Sequence, residues 1–169
     1  MKLAVDVQLV RTLRDQTGAG IMDSKNALQA SNGDIAKAEE ILREKGMASA
    51  MKKSARATNE GLVESYIHSG GRIGAIVEAN CETDFVARTD DFKALAHDIA
   101  MQVAAMDPKY VDAADIPDGA DENPEQVCLL QQAFIKDPSK TVQDLVNEVV
   151  AKIGENIKVR RFSRFALGE

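Results

Sequence analysis

The alternation in Arg72–Cys81 constrains this chain more than any other feature. Ile73, Ala75, Val77, Ala79 and Cys81 fall on one face of a two-residue repeat. The opposite face carries Arg72, Gly74, Glu78 and Asn80, with Ile76 the apolar exception. A strand of that kind is half-buried, so it needs a hydrogen-bonded neighbour and a layer of helix over its apolar face. Leu62–His68 supplies the neighbour across the turn Ser69-Gly70-Gly71, which predicts a hairpin. Phe92, Leu95, Ala96, Ile99, Ala100 and Val103 recur at steps of three and four up to Asp107-Pro108, the mark of an amphipathic covering helix. Thr141 and Asp144 fit a capping box ahead of Val142, Leu145, Val146, Val149, Val150 and Ile153, and Gly154 ends that helix.

The tail Asn156–Ala166 alternates again but slips at Arg160-Arg161, predicting a strand with a bulge. Residues 112–126 are acidic, hold two prolines and no bases, and read as a loop. Val127–Ile135 is a candidate additional strand that Gln131-Gln132 interrupts. The order β-β-α-(β)-α-β predicts an antiparallel sheet with helices on one face, the core domain of an α+β fold.

Ahead of it the apolar period is helical. Asp6 is placed to cap a helix bearing Val7, Val10 and Leu13, ended at Gly18-Ala19-Gly20. Asp23 is placed to cap a second, with Ser24, Ala27, Leu28 and Ser31 at helical spacing before Asn32-Gly33. Asp34 opens a third, with Ile35, Ala38, Ile41 and Leu42 inward and Gly46 closing it. The expected organisation is a three-helix bundle over residues 1–46, a helical connector over 47–60 and the α+β core over 61–169. A bundle that small has a thin core and would be marginal alone.

Chemistry is sparse. Cys81 and Cys128 form neither a CxxC nor a Cys/His cluster, which leaves no zinc site or disulfide framework and suits a reducing cytoplasm. Met1–Gln16 lacks an apolar export core, and no stretch approaches 18 apolar residues, so no membrane insertion is expected. Gly18-Ala19-Gly20 lacks the rest of a phosphate loop and follows no strand. His68 and His97 have no nucleophile or carboxylate constellation that reads as catalytic, and suit a surface or hydrogen-bonding role. The basic residues Lys158, Arg160, Arg161 and Arg164 read as a solvated strand edge. A net charge of −6 argues against direct nucleic-acid binding. No enzyme activity, cofactor or metal is therefore expected.

Two places suit a protein partner. Ile21-Met22 sets two large apolar side chains beside a turn, either packed into the bundle or offered as a docking knob. In Asn80–Arg88, NCETDFVAR, Phe85 stands between Asp84 and Val86-Ala87-Arg88, just ahead of the amphipathic helix. Such a ring is either a core plug or an interface wedge. On the residues alone the plug is the plainer reading, with Phe85 folded back on the sheet and Asp84 bonding nearby amides; against it, Phe92 already serves as core anchor and the polar company of Phe85 suits an interface.

The motifs LRDQTGAGIMD (Leu13–Asp23), SNGDI (Ser31–Ile35), NCETDFVAR (Asn80–Arg88) and VAKIGENIKVRR (Val150–Arg161) resemble, in order, those of elongation factor Ts, the exchange factor of elongation factor Tu. The resemblance implies that the bundle is the family's ubiquitin-associated-like module and that the chain is a short form with one core subdomain. Asp112–Lys140 departs from the family pattern, in the region bearing on the third domain of elongation factor Tu. By position, Arg14, Ile21 and Met22 would dock on the GTPase domain of elongation factor Tu. Asp84 and Phe85 would enter near its bound Mg²⁺ and phosphates so that GDP leaves; Val86 and Arg88 complete the expected partner-binding set. The resemblance also admits a homodimer through the core. Two rivals compete with exchange: an adaptor that binds a partner without altering its nucleotide, and an enzyme.

Overall fold

Short polar side chains and glycines set the ends of the first helices. In the computed structural model, which describes residues 6–169, Asp6 accepts from Gln8 N at 2.8 Å and opens α1 (Val7–Thr17). Gly18 closes α1 in the left-handed conformation, φ 67°, with its N–H donating to Arg14 O. The first five positions of the expected 1–46 module lie outside the described residues. Leu13 is buried and Val10 half-buried, whereas Val7, expected to face inward, is exposed at the frayed end of the stripe.

α2 (Ile21–Ala30) starts three residues earlier than expected. Gly20 is its N-cap, without a side-chain cap bond, and Asp23 lies in the first turn, where a carboxylate suits the helix dipole and meets Lys45. Ile21 and Met22 are therefore the opening helical residues, not turn residues. α3 (Ile35–Lys53) is capped by Asp34, which accepts from Lys37 N at 3.1 Å. It runs straight through Gly46, which was expected to end it, and absorbs the first half of the expected connector. Gly46 is buried against the side of α7 (Val142–Ile153), where packing outweighs the helix penalty of glycine. Leu13, Ala27, Leu28 and Ala38 form the small core of this bundle.

β1 (Glu60–Ile67), β2 (Ile73–Cys81) and β5 (Ile157–Ala166) make an antiparallel sheet in the order β1-β2-β5. The register runs Glu78↔Arg161 and then Ala79↔Val159, so Arg160 is the extra residue of the expected bulge. Gly61, the second residue of β1, has φ 148°, and a Cβ there would overlap the Ala79 carbonyl oxygen, so only glycine lets the two strands close. Ala75, Val77, Ala79 and Cys81 face α5 (Asp90–Met106) and α7, and with Phe92, Ile99, Val103, Val142, Val146 and Val150 they build the main core. Thr89 caps α5, and Thr141 and Asp144 form the expected reciprocal box on α7.

The segment 127–135 does not join this sheet. β3 is only Ala133–Phe134 and pairs with β4 (Asp137–Thr141), a separate ribbon; one bridge joins Tyr110 and Cys128. The glutamines explain it. Buried Gln132 donates to Gln126 O at 2.9 Å and accepts from Gln102, whose own oxygen receives Ile135 N at 2.9 Å. These side chains supply backbone partners that a sheet neighbour would otherwise provide. Of the acidic stretch, a 3₁₀ turn at Ala113–Asp115 and the short α6 (Pro124–Val127) are the only helical parts.

Candidate partner-binding site

At the end of β2 the chain must turn sharply, and its side chains make the turn. The buried Cys81 thiol donates to Thr83 O at 3.1 Å, and burial, then the Glu155 charge, pushes its pKa up to about 11. Thr83 caps the single-turn helix α4 (Asp84–Ala87), its hydroxyl accepting from Val86 N at 3.4 Å. Thr89 follows, donating to Val86 O at 2.8 Å and capping α5 through Phe92 N.

One helical turn has one inward arc. Here Ala87 is buried and Val86 packs against the main core, which turns residues 84, 85 and 88 outward. Phe85 is 77% exposed, while Phe92 is fully buried. The core-plug reading therefore fails for Phe85. Asp84 Oδ2 accepts from Arg88 Nη2 at 2.7 Å, an i,i+4 pair that flanks the ring.

Ile21 and Met22 are also exposed, 58% and 63%, at the start of α2. Arg14 lies on the surface of α1 and pairs with Asp15 at 3.0 Å. The seven expected partner-binding residues thus fall into two groups, one on the bundle and one on α4. Of these, Val86 alone turns its side chain to the core, as an anchor for the turn.

Sequence reasoning gave no role to the residues that hold this turn. Glu155 accepts from three donors: Oε2 from Glu82 N (3.1 Å) and Thr83 N (3.0 Å), Oε1 from Thr83 Oγ1 (2.7 Å). Glu82 Oε1 in return accepts from Asn156 N at 2.7 Å and lies 3.3 Å from Arg56 Nη1. The Asn156 amide, and then Arg56, hold the Glu82 carboxyl below the usual carboxylate range. Buried Asn156 donates through Nδ2 to Ser54 O (3.3 Å) and Arg56 O (2.9 Å). Their partners lie far away in sequence, so the only trace was the placement of Glu155-Asn156 inside a recognisable motif.

Elsewhere, the candidate chemistry resolves into structure. Gly18 serves the α1 cap. His97 Nδ1 sits 3.4 Å from Glu64 Oε1, and His68 Nδ1 3.1 Å from Tyr66 OH. In the basic tail Arg160 and Arg161 both pair with Glu78, and Arg164 donates to Ala104 O at 3.1 Å. Among the described residues no group of three or more His, Cys, Asp or Glu is placed to hold a metal ion. No described helix is long and apolar enough to cross a membrane.

The family model for elongation factor TS matches residues 21–125 and 120–169, two segments that overlap inside the acidic loop. An elongation factor Ts from Caldanaerobacter subterraneus subsp. tengcongensis is 49% identical over 195 aligned positions, covering 98% of each chain. One from Carboxydothermus hydrogenoformans is 51% identical over 192 positions, 96% of this chain and 88% of the relative. One from Thermotoga neapolitana is 48% identical over 195 positions, 99% of each. These alignments span more positions than the 169 residues of this chain, so the relatives hold residues it lacks.

Proposed function

The chain belongs to the elongation factor Ts family, and from that premise we propose that it is a guanine nucleotide exchange factor for elongation factor Tu, with Asp84-Phe85 as its wedge. The observation that carries the reading is the Phe85 ring, held out in water by a turn whose neighbouring residues are anchored. Exchange on this reading needs no nucleophile, metal or cofactor in the factor itself. The bundle docks on the GTPase domain through Arg14, Ile21 and Met22, while Phe85 enters near the Mg²⁺ and phosphate site and Asp84 brings a negative charge toward it.

The magnitudes suffice. Burying a Phe side chain removes about 150–250 Å² from water, and at roughly 25 cal/mol per Å² this supplies at most ~4–6 kcal/mol. Each ~1.4 kcal/mol spent on distorting the nucleotide site weakens GDP tenfold. Coupling is reciprocal, so bound nucleotide weakens the factor by the same ratio. The factor accelerates exchange without choosing between GDP and GTP.

The same reading includes a homodimer. The outer sheet face exposes Val63, Ile67, Ile76 and Phe165, with Ile67 Cδ1 lying over Gly74. A second copy placed there would cover apolar surface that a lone sheet leaves wet.

Fluorescent GDP preloaded on elongation factor Tu tests the exchange reading. Added factor is expected to accelerate fluorescence loss at saturating unlabelled nucleotide. Binding without acceleration would instead identify the adaptor.

A further inference from the structure

A wedge delivers its burial energy only if it arrives in place; a swinging ring spends that energy on its own ordering. α4 is a single turn, too short to be stable through its own backbone bonds. What fixes it lies across the fold, in the turn between α7 and β5.

We propose that Glu155, acting through Thr83, is a positioning residue for nucleotide exchange: it locks the turn that presents Phe85, beside the Glu82–Asn156 link that ties this turn to the end of α3. This rests on the wedge reading above.

The chemistry runs from one carboxylate. Glu155 makes no ion pair among the described residues, and its three accepted bonds all come from Glu82 and Thr83. Bonds to a charged acceptor are shorter and stronger than neutral ones. The Thr83 hydroxyl has one proton, which goes to Glu155 at 2.7 Å, leaving its lone pairs to cap Val86 N. The carboxylate thus orients the cap, and the cap orients the residue beside the ring. Glu82 and Asn156 complete the knot in the opposite direction, and Asn156 carries it to Ser54 and Arg56 just beyond α3. α3 belongs to the bundle that bears Ile21 and Met22. One clasp therefore joins both groups of expected contact residues.

The test uses the full chain carrying Glu155→Ala, Glu155→Gln, Thr83→Val or Phe85→Ala, titrated against elongation factor Tu loaded with fluorescent GDP. Misplacing a reacting group by about 1 Å costs up to roughly a hundredfold, so the saturating release rate of Glu155→Ala is expected to fall about ten- to a hundredfold. Glu155→Gln, which keeps one acceptor oxygen, falls between that variant and the parent. A variant that merely unfolded in part would shift the half-saturating concentration and still reach the parent plateau. If Glu155→Ala does not fold, Thr83→Val decides, with a lowered plateau expected. A parent-level plateau in folded Glu155→Ala, or in Thr83→Val in its stead, overturns the proposal. A low plateau for Phe85→Ala beside a full one for Glu155→Ala removes the clasp alone. A full plateau for Phe85→Ala removes the wedge and the clasp with it.

Discussion

Phe85 and Phe92 are the same side chain seven positions apart, with opposite fates. Phe92 enters the core on the first turn of α5, while Phe85 stays in water because Val86 and Ala87 occupy the inward arc of α4. Removing a buried Phe costs about 3–5 kcal/mol, and a surface change away from special features stays within about 0.5 kcal/mol. Urea unfolding should therefore separate Phe92→Ala, strongly destabilised, from Phe85→Ala, near the parent. A large loss for Phe85→Ala would mean that the ring supports its own domain. At this scale Phe85 was legible only through its motif: its immediate neighbours favour a core plug, and the resemblance of NCETDFVAR to elongation factor Ts is what turns the reading outward. Glu155 was not: nothing near it in sequence says that its carboxylate will cap amides 72 and 73 positions away.

Among the elements, α5, α7, the hairpin and the bulged tail were legible because each is specified by short-range pattern: caps, three-four spacing, or alternation. Gly46 was misread for the complementary reason. Glycine costs about 1 kcal/mol in a helix interior, a local penalty that contact with α7 overrides. β4 carries no apolar alternation in Asp137–Thr141, so its pairing with β3 left no trace. At Gly46 an added Cβ would sit 3.5 Å from Ala151 Cβ and 3.9 Å from Asn147 O, an ordinary contact. Gly46→Ala should then be tolerated and gain up to about 1 kcal/mol from helix propensity. Gly46→Leu must push α3 off α7, costing about 1–3 kcal/mol and turning the bundle relative to the core. Thermal melts and exchange assays check this pair: the Ala variant keeps both properties and the Leu variant loses both. Full exchange by folded Gly46→Leu would show that the α3–α7 contact does not govern how the bundle and core engage the partner.

At the scale of the described residues, a small core and the main core are joined by one long helix, and the sheet leaves one face open. If that face pairs two copies, Phe165→Glu should lower the mass measured by light scattering to that of a monomer without changing the fold. A parent chain that is monomeric at high concentration would contradict the dimer and leave the wedge untouched. The wedge is tested by the saturating rate of GDP release from elongation factor Tu with Phe85→Ala in place of the parent chain. A folded variant is expected whose rate falls by at least about tenfold, the loss that ~1.4 kcal/mol of coupling entails. A folded variant that releases GDP as fast as the parent would contradict the wedge.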